Sequence, residues 1–458
     1  MVVAAMGTAP AKDGTLRDPA GPPGHWLLGH TRVFERDALG VLMRGFAEYG
    51  DVVGFRFGPI RACLLAHPDH VQQVLQKNHR NYDKNAFSYR RLKALVGDGL
   101  ITSEGALWQE HRRLAQPAFQ RRQLESVAAA TLRAAERVAG AWERCAAEGR
   151  PTDVHQDMMG AALEIGAEAL FGADVVAEAR PFGAALNVAL AEVMRRIYAL
   201  MPLPLLVPTP ANLRFRRALR RLHAVVQQVV DRRRAEADGR DDLLSALMQG
   251  LDGPALRDEL VTFLLAGHET TANALVWTFH LLGRHPAIAA RLQDEIASAL
   301  GGRAPALDDL PRLAYARMVL AEAMRLYPPV WVVDRNAIGA DTIGGFGIRP
   351  GTLVMLSQYV THRHPAFWPE PERFDPERFA PAAVRQRPRF AYFPFAGGPR
   401  SCIGGQFALT EASLLLACLA GRFELSPVAG PPVEPNPSVT LRPREGMPMR
   451  VRLLAPAA

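Results

Sequence analysis

The chain has 458 residues, 48% of them hydrophobic and 22% charged, which is enough apolar content for a large core and excludes a disordered or low-complexity protein. The formal charge of +8 comes almost wholly from arginine, the only lysines being Lys12, Lys77, Lys84 and Lys93; acids are interspersed and no basic run carries interleaved aromatics, so a solvated mixed surface is expected and no nucleic-acid partner. Cys63, Cys145, Cys402 and Cys418 lie too far apart for a disulfide framework or a zinc site, and residues 1–17 hold no apolar span, so a reducing cytoplasmic setting with no membrane anchor is expected.

In chain order, residues 18–30 read as an irregular Pro/Gly lead-in, and 52–57 and 61–66 as short strands around Gly58-Pro59. Helical periodicity then dominates over 107–116, 124–147, 158–170 and 182–200. A proline- and leucine-rich break at 201–210 precedes an arginine-studded helix over 213–236 and a shorter one over 241–249. A long, largely apolar helix is predicted over 254–282, with Pro254 in its first turn, and further helices over 286–300 and 311–327. Residues 330–355 read as β, with turns at Gly344-Gly345 and Pro350-Gly351; 365–395 are irregular, 406–423 helical and 438–453 β. No linker or repeat separates independent units. The expectation is one large, mainly α domain over 1–458, with a lead-in over 1–21, a catalytic body over 22–453 and a small β-rich subregion from 50–75 and 330–362.

Two stretches carry chemistry. In Phe395-Ala396-Gly397-Gly398-Pro399-Arg400-Ser401-Cys402-Ile403-Gly404, one cysteine sits in a glycine-rich loop with an apolar helix after it. Such a loop suits a thiolate ligand to heme iron, because a thiolate pushes electron density onto the metal. Gly398 and Gly404 would let the backbone approach the macrocycle and take positive φ where needed. Phe395 would cover the sulfur, and Arg400 would reach a heme propionate. The second stretch, Ala266-Gly267-His268-Glu269-Thr270-Thr271, puts an acid and two β-branched alcohols inside an apolar helix, a local cost that sequences carry mainly at functional sites. Gly267 opens room for a small molecule, a threonine hydroxyl can bond back to the preceding turn, and Glu269 with Thr270 would relay protons to the oxygen chemistry. His268 is expected to pack or face solvent, not to bind metal.

Both stretches resemble signatures of the cytochrome P450 family: Phe-x-x-Gly-x-Arg-x-Cys-x-Gly in the first and Ala/Gly-Gly-x-Asp/Glu-Thr-Thr in the second, matched throughout. The resemblance runs from about Pro22 to Leu453 and implies a mainly α P450-like domain, heme b held through Cys402, and dioxygen insertion into a C–H bond. It also assigns roles elsewhere. Glu322, Arg325 and Arg378 would form a structural triad behind the cysteine loop. Trp108 and Arg112 match the family's Trp-x-x-x-Arg pattern and would share one propionate, with Arg335 as a second clamp. No flavin or ferredoxin unit is expected after residue 458, so electrons would come from a separate ferredoxin or flavodoxin and its reductase, docking near Arg113, Arg121 and Arg122. A monomer is expected.

The pocket should draw on 88–100, 185–206, 264–270, 330–333 and 439–441, mostly apolar segments that favour a lipophilic guest, terpenoid-like ahead of fatty acid. Arg90 or Arg91 could meet a carboxylate, but an outward-facing arginine is the simpler expectation. The alternatives are a peroxygenase or isomerase on the same fold, or a non-catalytic heme protein. Glu269-Thr270 argues against both, since neither needs a proton relay.

Overall fold

Helix α1 (Thr31–Tyr49) opens the computed structural model, which describes residues 17–172, 176–199, 202–236 and 240–455. Residues 1–16 of the expected lead-in and residues 200–201, where a helix was expected to give way to a break, lie outside that range. The sequence reading missed α1 because it is kinked at Asp37, whose φ of −152° interrupts the 3.6-residue period.

The other main helices are α2 (Phe87–Val96), also missed, α3 (Gly105–Ala115), α4 (Leu124–Ala147), α5 (Val154–Phe171), α6 (Val176–Tyr198) and α7 (Pro210–Glu236). They are followed by α8 (Gly253–Arg284), α9 (Pro286–Leu300), α10 (Ala314–Leu326) and α11 (Gly405–Ala420). The fold is mainly α with a small β-rich part, as expected. Two boundaries differ for visible reasons. The stretch expected as helix from 311 starts instead as a 3-10 turn at Leu307–Arg312, and the helix expected to reach 423 stops at Ala420. There the Gly421 N–H closes on the Ala417 carbonyl, and Phe423 already begins a strand, Phe423–Pro427.

Helix α8 is the centre of the molecule. It packs on α5, α10 and α11, and nearly every residue from Leu256 to Leu282 on its core-facing sides is buried. Trp277 of α8 stacks on Tyr327 at 4.1 Å between centroids, and Trp142 of α4 meets Phe279 edge-on at 5.5 Å. Each buried indole removes about 150–250 Å² from water, roughly 4–6 kcal/mol at about 25 cal/mol per Å².

The principal sheet has five strands: β1 (Val52–Phe57), β2 (Ile60–Leu65), β3 (Tyr82–Asp83), β4 (Val333–Ala337) and β5 (Leu353–Leu356), in spatial order β1-β2-β5-β4-β3. Strand β2 runs parallel to β5, with Ala62 opposite Leu353; the other pairs are antiparallel, and Arg335 faces Val354 across β4 and β5. A three-stranded sheet joins Thr152–Asp153, Pro448–Leu453 and Phe423–Pro427.

Glu322 and Arg325, one turn apart on α10, form a bidentate pair at 2.7 and 2.8 Å with both side chains fully buried. The Arg325 guanidinium also donates to the carbonyls of His362, Pro371 and Arg373, and Glu322 accepts the Asp375 N–H. Arg378 approaches the same carboxylate at 3.5 Å and donates to the Glu370 carbonyl. Removing one partner of such a pair strands the other charge away from water. Arg325→Ala should therefore destabilise the fold by about 3–5 kcal/mol, read as a shift in the denaturant midpoint at unchanged slope. A shift under about 1 kcal/mol would refute the assignment.

Candidate active site

The cysteine loop is shaped by backbone constraints. Cys402 N–H donates to the Phe395 carbonyl at 3.0 Å, closing the loop, and α11 starts three residues later with its N-terminal end towards the cysteine. Gly398 has φ +67°, and a Cβ there would stand 1.7 Å from the Leu75 carbonyl oxygen, so only glycine fits. The expectation for Gly404 is corrected: its φ is −89°, and an added Cβ would meet only the Phe119 ring at 3.5 Å. The second left-handed position of the loop belongs to Ala396, φ +56°. Phe395 lines the cavity and packs against Gly405. Cys402 is exposed, but to a cavity within the protein, so desolvation by the surrounding protein pushes its thiol up, while the Gly404 N–H, Arg112 and Lys84 pull it down.

Cys402 lines a cavity of about 740 Å³, floored on the opposite side by α8. Ala266, Gly267, Glu269, Thr270 and Thr271 all line it, and a Cβ added at Gly267 would meet nothing within 4 Å. Thr270 and Thr271 donate to the carbonyls of Ala266 and Gly267, at 2.8 and 3.3 Å, as a groove in the helix requires. Glu269 is buried, and burial raises its pKa. No hydrogen bond joins Glu269 to Thr270 among the described residues. The carboxyl instead takes the Thr440 hydroxyl, and its Oε2 is buried without a partner. His268 packs, as expected: Nδ1 lies 3.1 Å from the Leu264 carbonyl and burial drives its pKa down to about 4.

The turn carrying Thr440 is pinned from three sides. Asn273 donates to Thr440 Oγ1 at 3.1 Å, Trp277 to the Leu441 carbonyl at 2.9 Å and Trp331 to the Ser438 carbonyl at 2.8 Å. Asn273 escaped sequence reasoning, and Thr440, inside the 439–441 stretch expected at the pocket, was not tied to α8, because nothing local marks a contact between residues so far apart.

Four cations gather at the cavity edge: Lys84, Arg112, Arg335 and Arg400. Arg400 pairs with Glu104 at 2.6 Å, donates to the Ser103 carbonyl, and lies 4.0 Å over Trp108. Trp108 is thus the platform under Arg400, a role the sequence did not suggest beside the expected propionate contact. Arg112 donates to the Ser401 carbonyl at 2.9 Å and Arg335 to that of Asp334 at 2.7 Å. Lys84, also missed, donates to the Ile101 carbonyl; burial first, then Arg335 and Arg400, holds its pKa well below the usual lysine range. Glu104 is the single carboxylate ion-paired within this cluster among the described residues, and Arg400 Nη1 is buried with no partner. A sulfur on one wall and uncompensated cations at the rim fit a dianionic cofactor whose metal takes a thiolate.

These features fit a heme-thiolate protein. The family model described as Cytochrome P450 matches residues 19–449, and the chain belongs to that family, whose members bind heme iron. Cyclooctatin synthase of Streptomyces melanosporofaciens is 39% identical over 438 residues, spanning 93% of this chain and 94% of its own. Cyclooctat-9-en-7-ol 5-monooxygenase of the same organism is 37% identical over 88% of each chain, and pentalenene oxygenase of Streptomyces avermitilis 35% identical over 94% and 95%. The crystal structure of the cytochrome P450DA heme domain aligns with a TM-score of 0.85 at 28% identity, covering 96% of this chain and 99% of that one. The protein is accordingly a monooxygenase, and no helix among its described residues is long and apolar enough to cross a membrane.

The two loop glycines make a paired test. Gly398→Ala should cost about 3 kcal/mol or more and empty the heme site, since both φ and the Leu75 carbonyl forbid it. Gly404→Ala should cost under about 1 kcal/mol in unfolding of the heme-free chain, because nothing there is closer than ordinary contact. Equal costs in parallel denaturant titrations would show that the Leu75 contact does not govern the loop.

Proposed function

We propose that this protein inserts one oxygen atom from O₂ into a C–H bond of a polycyclic terpenoid, with electrons from a separate ferredoxin or flavodoxin and its reductase. The observation that carries the reading is the groove of Gly267, Glu269 and Thr270 facing the Cys402 loop across one largely apolar cavity. Bound heme supplies the activation of dioxygen. One oxygen atom enters the C–H bond, and the other leaves as water with two protons and two electrons. Cys402 would ligate the iron, while Arg112, Arg335, Arg400 and Lys84 would hold the propionates, with Trp108 beneath Arg400.

Glu269 would deliver protons from the Thr440 side to the groove, where the Thr270 hydroxyl stands ready to pass them on. Phe263, Leu265, Ala274 and Val439 line the groove, and burial there raises the Glu269 pKa, which favours the form able to donate. The terpenoid reading rests on the apolar lining and on three terpenoid-modifying relatives, two of them named as oxygenases.

For the redox partner, the Phe119 ring lies against Gly404, which puts the segment after it on the cysteine side of the heme site. Arg121, just after Phe119, and Arg113, on α3 before it, are exposed without ion pairs among the described residues, whereas Arg122 is partly answered by Asp241 at 3.2 Å. An acidic carrier fits that face.

The expected results are a far-red Soret band in the reduced CO complex, abolished by Cys402→Ser, and hydroxylated products from polycyclic terpenes but not from fatty acids. Binding of fatty acids alone would overturn the substrate reading. The proton step has its own signature. Burial lifts the Glu269 pKa, so its proton is retained above the ordinary carboxylate range and lost as pH rises through the shifted value; turnover should fall along that limb. Glu269→Gln should lower turnover about 10²-fold and flatten that limb; an unchanged profile would remove Glu269 from the relay.

A further inference from the structure

Among the described residues that line the cavity, two are carboxylates: Glu269, placed in the relay, and Asp334, which that mechanism does not use. Asp334 is the second residue of β4. Alternation along the strand sends Val333 and Arg335 to one face and Asp334 and Asn336 to the other. Asn336 is spent on Asp83, at 3.0 Å. Asp334 Oδ2 accepts the Ser88 hydroxyl of α2 at 2.6 Å, and Oδ1 accepts nothing among the described residues. Arg335 makes no hydrogen bond to the carboxylate, since its Nη1 donates to the Asp334 backbone carbonyl; its charge lowers the Asp334 pKa but does not outweigh burial. A carboxylate beside an apolar cavity with half its acceptor capacity unused is costly unless a donor arrives there.

A second polar group marks the same wall. Tyr198, at the end of α6, also lines the cavity, and its phenol lies within the field of Asp334. Burial and the neighbouring acids push that phenol up to about 12, so it is a hydrogen-bond donor at working pH, and burial likewise raises Asp334. The cations nearby select the kind of guest. Arg90 and Arg91 line the cavity beside Ser88, and Arg196 adds a further positive charge close to Arg91. That field opposes an ammonium group but costs a neutral hydroxyl nothing.

We propose that Asp334, with Ser88 and Tyr198, forms a hydroxyl-reading subsite, so that the substrate is a terpenoid alcohol and not a bare hydrocarbon. The inference rests on the terpenoid reading above and narrows it. The guest hydroxyl donates to Asp334 Oδ1 and accepts from the Tyr198 phenol, fixing which carbon faces the groove. The enzyme then stands second in a sequence. An earlier hydroxylation, or a water-terminated cyclisation, supplies the alcohol, and the product is a diol.

Equilibrium binding of a polycyclic terpene alcohol, its deoxy hydrocarbon and the matching primary amine tests this on the heme-loaded protein, read by calorimetry and by the Soret shift. The unaltered protein should prefer the alcohol to either analogue by about tenfold to a hundredfold, the range of one hydrogen bond to a charged acceptor. Asp334→Ala should bring the alcohol-to-hydrocarbon ratio close to one, Asp334→Asn should leave an intermediate ratio, and Ser88→Ala should keep the preference because the carboxylate remains. Should Asp334→Ala fail to load heme, the Asn variant decides. Equal binding of alcohol and hydrocarbon by the unaltered protein, or a preference that survives in Asp334→Asn at full strength, would show that Asp334 only pins α2 to β4, and would leave the terpenoid reading standing. Binding of fatty acids with neither terpene would overturn both.

Discussion

An ion pair with no water around it, Glu322 with Arg325, holds up the half of the site that carries the cysteine. Its value lies less in the pair than in what else each partner grips. Arg325 spends its remaining donors on three backbone carbonyls between His362 and Arg373, so a segment with little regular structure is fastened to α10 at every turn. The His362 ring, held neutral by burial, accepts the Phe393 N–H at 3.0 Å, and Tyr392 donates to the Ala321 carbonyl. Phe395 and Cys402 follow directly. The position of the sulfur is thus set by a chain of hydrogen bonds anchored in a buried charge, and isolated ion pairs of this kind are poor sources of net stability but strict about geometry.

The opposite wall depends on a different compromise. Helix α8 buries Glu269 and Asn273 among apolar neighbours, which its packing alone would disfavour. The cost is offset in part by the turn at 438–441, whose Thr440 hydroxyl serves Asn273 and Glu269 and whose Leu441 carbonyl takes the Trp277 N–H; Glu269 Oε2 and Asn273 Oδ1 keep no partner among the described residues. Helix and turn therefore stabilise each other, and the groove over Gly267 stays open because the polar groups beside it are tethered sideways instead of collapsing into it.

What was legible in the sequence was local. Phe395 to Gly404 and Ala266 to Thr271 are contiguous stretches whose residue types make sense only together, and the structure puts both on one cavity. Most helices followed from apolar periodicity, whereas α1 and α2 did not: the first is broken at Asp37, and the second is only ten residues long. Contacts over long sequence separations were invisible. Lys84 meets the cations of three other segments, and Thr440 reaches back to Asn273. Even within the cysteine loop, the motif marked glycines but not which of them is conformationally forced; Gly398 is and Gly404 is not, and Ala396 takes a left-handed φ without being glycine. That distinction depends on the Leu75 carbonyl, more than three hundred positions earlier in the chain.

Two carboxylates reach the cavity, both pushed up by burial, and their neighbours assign them different work. Glu269 has the Thr440 hydroxyl beside its carboxyl and the Thr270 hydroxyl next along the groove, the pair of alcohols that the proposed relay would use. Asp334 accepts one hydroxyl, that of Ser88, and no further hydrogen bond among the described residues, which suits a group that holds a donor more than one that passes a proton on. The same contrast explains why the cavity can be apolar yet selective. An apolar wall separates guests by a factor set by shape, whereas one unsatisfied acceptor separates them by whether they bring a donor, and the second discrimination is the steeper.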